Sequence, residues 1–243
     1  MHASDFVSEE FICMKRSITA VIAAGGEGKR MGGPKQFIDL FGTPMVAVTC
    51  AAFERSPAVS EIVLVVAPDM VGEAEKMVKK QGLKKVSAVV PGGSTRQESV
   101  YNGLKTASGD GVMIHDGARP LVQTELISRL AGELSGSDAV ICAVPVSDTV
   151  KEVSGKGAVV RTLERKGIWR AQTPQCFKKE LIVRAHEEAR KGGFTSTDDS
   201  SLVERIGGNV KVVMGSYENI KVTTPSDADL AKGIIKKRGS GQK

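Results

Sequence analysis

Bare backbone and positive charge converge in one stretch, "AAGGEGKRMGGPKQ", running from Ala23 to Gln36. Lys29, Arg30 and Lys35 stand among glycines there, directly after the apolar run "ITAVI". Glycines let backbone N–H groups approach an anion with no Cβ in the way. Fixed cations around a phosphorus stabilise the charge that builds during its transfer. The chemistry this stretch suits is the binding of a polyphosphate. A tight turn with solvated charges is the plain alternative, and the position just past a buried strand favours the anion. Two common glycine motifs do not fit. Gly28 and Gly33 have the spacing of a P-loop, but Pro34 follows where lysine belongs, and Gly26 and Gly28 are followed by Met31 where a dinucleotide fingerprint needs glycine.

Three further stretches carry candidate chemistry. In "GVMIHDGARP" (111–120), Asp116 closes an apolar run and Arg119 follows closely. A carboxylate there would position a substrate hydroxyl or a Mg²⁺-bound phosphate, and the arginine would grip a phosphate. The modest alternative is a local ion pair. His115 reads as structural, its ring bonded beneath the loop, and not as a general base. In "PGGSTRQESV" (91–100), the glycines would admit a flat base and Ser99 would bond to it, while Ser94 reads alternatively as a helix N-cap. In "NIKVTTP", Lys221 falls on an alternating strand that leads to a turn.

These residues need a scaffold, and the pattern supplies one. Short continuous apolar runs occur at 18–24, 61–67, 86–91, 111–116, 138–146 and 209–215. Such runs suit strands covered on both faces. Helical patterns lie between them at 44–56, 70–82, 94–107 and 123–135, with Pro44 at a first helical position, Gly82 as a stop and Thr124 as a cap. The alternation predicts a Rossmann-like α/β fold, a mostly parallel sheet with helices on both faces. Ligands then bind outside the carboxyl ends of the strands. The rhythm breaks from Pro145 to Gln175, where two β-like runs flank the turn "SGKG". We read a β-hairpin arm at about 146–171, with Trp169 in the core or at the arm's base. An isolated ribbon is marginal in water, so the arm needs a partner surface, most simply a second subunit.

Composition bounds the rest. The chain has 243 residues, 41% of them hydrophobic, enough for one domain over 17–238 with an extension at 1–16 and a tail at 239–243. A net charge of +6 favours an anionic partner, and only 4% aromatic residues leave few platforms for stacking single-stranded nucleic acid. The "KKR" at 236–238 reads as a solvated helix end and not a nucleic-acid arm. Of Cys13, Cys50, Cys142 and Cys176, none forms a C-x-x-C pair, and Cys50 and Cys142 lie in apolar runs as small core residues. No signal peptide or membrane span is legible. The expectation is a cytoplasmic protein with no nucleic-acid or membrane partner.

The glycine-rich stretch resembles the signature loop of sugar-phosphate nucleotidyltransferases. "VMIHDGARP" narrows the resemblance to the 2-C-methyl-D-erythritol 4-phosphate cytidylyltransferase family. "PGGSTRQESV", "AVPVSDTVK" (143–151), "ERKGIWRAQTPQ" (164–175), "TSTDDSSLVE" (195–204) and "ENIKVTTPSDADLA" (218–231) follow in order. The resemblance implies transfer of a cytidylyl group from CTP to a polyol phosphate, release of pyrophosphate, and Mg²⁺ as cofactor. It implies Arg30 and Lys35 as catalytic residues at the α-phosphate, and Arg165 and Lys221 as those holding the acceptor phosphate. Ala23, Ala24, Gly25, Gly26, Gly28, Gly93, Ser94, Ser99, Asp116 and Gly117 would meet the nucleotide. Asp116, Arg119, Arg165, Thr173, Thr197 and Lys221 would meet the acceptor, and Asp116 is the metal candidate. Family members often carry a carboxylate where Ser94 stands. The arm would exchange in a homodimer, bringing Arg165 to the neighbour's site. A ribitol 5-phosphate cytidylyltransferase of similar fold and a non-catalytic nucleotide-binding module are the alternatives.

Overall fold

The computed structural model describes residues 17–26 and 38–240. The proposed extension at 1–16 therefore lies outside the described residues, as do Gly28, Arg30 and Lys35 of the glycine-rich stretch.

A seven-stranded sheet forms the centre. Its strands are β1 (Ile18–Ala24), β4 (Glu61–Val66), β5 (Val86–Pro91), β6 (Gly111–Asp116), β7 (Ala139–Pro145), β10 (Trp169–Lys178) and β11 (Val210–Met214). Their order is β11-β7-β10-β6-β1-β4-β5. All neighbours run parallel except β10, which is antiparallel to both β6 and β7. A short hairpin, β2 (Asp39–Leu40) and β3 (Thr43–Pro44), precedes the first helix. The expected arm is a second hairpin, β8 (Val150–Val153) and β9 (Val159–Leu163), turning through 154–157.

Helices cover both faces, as the continuous apolar strands require. One face packs α1 (Met45–Arg55), α2 (Val71–Gln81) and α4 (Thr124–Glu133) through Phe53, Met77 and Ile127. The other packs α3 (Arg96–Thr106), α5 (Lys179–Lys191) and α6 (Ser200–Arg205) through Leu104, Ile182 and Val203. Helix α7 (Pro225–Ser240) closes a smaller cluster with Leu40, Met45 and Leu121. Gly82 ends α2 at a φ of 63°, the left-handed conformation that glycine adopts without strain. Cys50, Cys142 and Cys176 are buried thiols outside any disulfide. Among the described residues, no helix is long and apolar enough to cross a membrane.

Some local expectations change. Strand β10 was not legible as part of the sheet. Pro44 caps α1 from outside, and Gln123, not Thr124, precedes α4. The cap of α3 is Thr95, whose side chain accepts from the Glu98 N–H, and not Ser94. Lys221 sits in a loop, not a strand. Arg238 is not simply solvated, since its guanidinium holds Glu218 and the Leu121 carbonyl. Trp169 stands at the arm's base, paired in register with Pro145 and 44% exposed.

Candidate active site

Alternation along β6 decides which side chains face which helices. Val112 and Ile114 face α3 and α5, while Met113 faces α1. By the same period of two, His115 turns under α1, where its ring lies 4.9 Å from that of Phe53. Asp116 turns the other way, toward the start of α3. That end of β6 pairs Asp116 with Ala23 of β1, so both carboxyl ends stop side by side. Gly117 follows, donating its N–H to the Ala23 carbonyl at 2.8 Å. A Cβ there would stand 2.9 Å from that of Ala24, too close for any other residue.

Asp116 is the hub of a buried charge cluster. Its Oδ1 pairs with Arg96 Nε at 3.1 Å and its Oδ2 with Lys221 Nζ at 2.8 Å. Arg119 Nε stands 3.7 Å from Oδ2, an ion pair too long for a hydrogen bond. Burial alone would push the Asp116 carboxyl up. Arg96, then Lys221 and Arg119, outweigh it and hold the carboxyl well below the usual range. Arg96 turns its Nη1 to Asp199, 2.8 Å away. Among the described residues, three cations thus surround two carboxylates, leaving one positive charge in excess. The Lys221 and Arg96 side chains are 39% and 29% exposed, so that charge opens to solvent. The arrangement suits an anion bearing hydroxyls.

The supports beneath this cluster are polar and directional. The Arg119 carbonyl only accepts, so His115 Nε2, 3.1 Å away, carries the proton. Burial pushes the His115 pKa down to about 4, and the ring is neutral. His115 Nδ1 therefore accepts from the Thr173 hydroxyl at 3.0 Å, and Thr173 Oγ1 accepts from the Asp116 N–H at 3.0 Å. The Lys221 loop is fixed as well. Asn219 donates to the Thr173 carbonyl at 2.8 Å, its own carbonyl accepts from Arg119 Nη1 at 2.8 Å, and Val222 N–H reaches the Ala118 carbonyl.

The expected site residues divide accordingly. Asp116, Arg119 and Lys221 come together. Thr173 joins them as a buried support, its hydroxyl proton committed to His115 and not offered to a substrate. Ala23 and Ala24 end β1, and Gly25 and Gly26 lie just past it. Ser99 is buried, accepting from the Gly93 N–H at 3.0 Å and donating to the Thr95 carbonyl at 2.9 Å, so it shapes the 91–93 turn. Ser94 donates to Glu98 at the surface. Thr197 is exposed, two residues before Asp199. Arg165 is exposed beyond β9 and bonds the Ser147 carbonyl, and no described contact brings it to Asp116. Sequence reasoning missed Arg96 and Asp199. Both lie inside motifs already singled out, and an arginine opening a helix beside a strand-end aspartate was the available signal.

Asp116 was the metal candidate, and its surroundings bear on that expectation. Among the described residues, no group of three His, Cys, Asp or Glu side chains forms a metal site. Both oxygens of Asp116 already face cations, so a divalent ion there would have to displace one. The described residues do not fit a metal held by protein groups alone.

A family model described as IspD, 2-C-methyl-D-erythritol 4-phosphate cytidylyltransferase, matches residues 18–237. Curated proteins bearing that enzyme name are similar over most of both chains. The Pelotomaculum thermopropionicum protein is 46% identical over 91% of this chain and 95% of its own. The Desulforamulus reducens protein is 48% identical over 91% and 97%. Among solved structures, the 4-diphosphocytidyl-2C-methyl-D-erythritol synthase of Anaerococcus prevotii superposes with a TM-score of 0.81 at 33% identity, covering 91% of this chain and 97% of that one. The cytidylyltransferase of Thermus thermophilus gives 0.76 at 32% identity over 89% and 98%.

Proposed function

The chain belongs to the 2-C-methyl-D-erythritol 4-phosphate cytidylyltransferase family, and from that premise we propose that the cluster around Asp116 holds the acceptor while a cytidylyl group is passed to it. The reaction joins CTP and 2-C-methyl-D-erythritol 4-phosphate into 4-diphosphocytidyl-2-C-methyl-D-erythritol. The product keeps one phosphate from each reactant, so pyrophosphate leaves. A lone pair on the acceptor phosphate forms the new P–O bond to the α-phosphorus, and the bond to the β-phosphate bridge breaks.

The acceptor phosphate loses its second proton near a pKa of about 6, so it is already a dianion at neutral pH. No base is required, and none is poised among the described residues: His115 is neutral and accepts or donates two hydrogen bonds, and Asp116 is held ionised by cations. Asp116 accepts from an acceptor hydroxyl, and Lys221 and Arg119 hold the phosphate by charge. The glycine-rich stretch from Ala23 to Lys35 cradles the triphosphate, with Arg30 and Lys35 at the α-phosphate. The 91–94 turn, with Gly93, Ser94 and Ser99, receives the base. Magnesium would arrive with the triphosphate and would neutralise charge on its phosphates, while Asp116 stays with Arg96 and Lys221.

A second copy of the chain supplies Arg165 through arm exchange. The arm's exposed Val153, Val159 and Val160 support this, since a two-stranded ribbon needs a covering surface. The reduced thiols of Cys50, Cys142 and Cys176 suit a reducing cytoplasm. The observation that carries the reading is the convergence of Arg96, Arg119 and Lys221 on one aspartate at the carboxyl ends of β1 and β6. Pyrophosphate release, measured for each nucleoside triphosphate against methylerythritol phosphate and ribitol 5-phosphate, tests it. Release is expected with CTP and methylerythritol phosphate, and far less with UTP, whose reversed edge leaves buried groups unpaired at about 1–3 kcal/mol each. CTP binding without release would leave a nucleotide-binding module instead.

A further inference from the structure

Two adjacent aspartates, Asp198 and Asp199, open helix α6, and they do different work. Asp198 does the local work: its carboxylate accepts from the Ser201 N–H at 3.3 Å, the Ser200 hydroxyl at 2.8 Å and Gln175 Nε2 at 3.0 Å. Asp199 occupies the N-cap position, yet its side chain makes no cap bond. It is instead 1% exposed and faces Arg96. His186 of α5 stands 3.3 Å from its other oxygen. Arg96 holds the Asp199 carboxyl below its usual range against the upward push of burial.

A buried carboxylate that forgoes its own helix has a partner elsewhere, and here that partner reaches the site. Arg96 has five N–H donors in a rigid fork. Nε faces Asp116 and Nη1 faces Asp199, so the two carboxylates pull the guanidinium apart. Without the second, the planar group would turn wholly onto Asp116, as arginine–carboxylate pairs favour two parallel bonds. Asp116 would then have less to offer an acceptor hydroxyl, and Arg96 would crowd Lys221.

We propose that Asp199 is a positioning residue that divides the Arg96 guanidinium and so keeps Asp116 and Lys221 placed for the acceptor. The proposal rests on the reading of the Asp116 cluster as the acceptor site. Asp199 acts through Arg96 and touches neither substrate.

Steady-state kinetics test it in the full-length protein with CTP and 2-C-methyl-D-erythritol 4-phosphate. Asp199→Asn keeps the shape and a residue that suits an N-cap. The acceptor KM should rise about tenfold or more, since misplacement by 1 Å costs up to about 10²-fold. The CTP KM should stay within about twofold. In an Arg96→Lys background, where no fork remains to divide, adding Asp199→Asn should change the acceptor KM by less than about twofold. Equal rises in both KM values, an unmoved acceptor KM, or effects that multiply in the double variant would each overturn the proposal. Should Asp199→Asn not fold, Asp199→Ser takes its place, and failure of both to fold would assign Asp199 a purely structural role. A wild-type chain that turns over these substrates while the variants fail the pattern overturns this proposal alone. A wild-type chain that releases no pyrophosphate overturns the functional reading first.

Discussion

The Asp116 cluster and the β8–β9 arm are built on opposite plans. Around Asp116, each group is held from several directions: the backbone N–H by Thr173, the carboxylate by Arg96 and Lys221, the neighbouring ring by Thr173 and the Arg119 carbonyl. The arm is a two-stranded ribbon with Val153, Val159 and Val160 exposed at 53%, 61% and 59%. The cluster is positioned by the chain itself, and we read the arm as positioned by its neighbour. In the cluster, then, a change in chemistry is also a change in stability. In the arm, the two separate.

Asp116→Asn should show the largest effect. It leaves Arg96, Arg119 and Lys221 without their common anion. Breaking a buried pair from one side costs about 3–5 kcal/mol, and the partial exposure of Arg96 and Lys221 points to the lower end. Turnover should fall about 10²–10³-fold, the usual scale for one oriented charge. Thermal melting and pyrophosphate release check both. Loss of activity at unchanged stability would break the comparison.

Acid should separate the two regions next. His115 is buried with its pKa at about 4 against an ordinary 6.5, so the unfolded chain binds a proton that the native chain refuses. Stability therefore falls as pH drops from about 6.5 to 4, by up to about 3 kcal/mol, and levels off below. Asp116 and Asp199, whose carboxyls are depressed, add their loss only as pH falls below about 3.8. Denaturant unfolding across pH should show the slope, and His115→Gln should flatten it. A slope of the same size in that variant would remove His115 as its source.

The mixed-subunit experiment sharpens the arm's side of the contrast. Arg165→Ala and Lys221→Ala chains should each be inactive. After subunit exchange, one site of each heterodimer carries both lesions and the other neither, so activity returns to roughly half of wild type if the sites are independent. Proven exchange without recovery would place Arg165 at its own subunit's site.

Much of this was legible in the chain. The buried strands announced themselves because continuous apolar runs are what two-sided burial demands, and Asp116 was legible because it closes such a run. Strand β10 was not: "WRAQTPQCF" mixes polar residues and a proline, and it is a strand because β6 and β7 flank it. Lys221 reached the expected site through an unexpected loop, fixed by the bonds of Asn219 to Thr173 and Arg119 and not by a ladder. The Ser94 cap was displaced to Thr95 because Thr95, not Ser94, stands three residues before Glu98. Arg96 and Asp199 are far apart in sequence, and only α5, packed against both α3 and α6, brings them together as one unit.

The arm leaves the sheet at Pro145 and returns at Trp169, and those two residues are partners in the same antiparallel register. Val146 N–H still reaches the Ile168 carbonyl one step beyond. The insertion point is thus a closed gate: the core fixes both ends side by side whatever lies between. Lengthening a loop whose ends are already joined costs little, about 0.6 kcal/mol per doubling. The arm is therefore free to vary in length and surface while the sheet keeps its register, so its exposed face is able to diverge without the chemistry of the Asp116 cluster diverging with it.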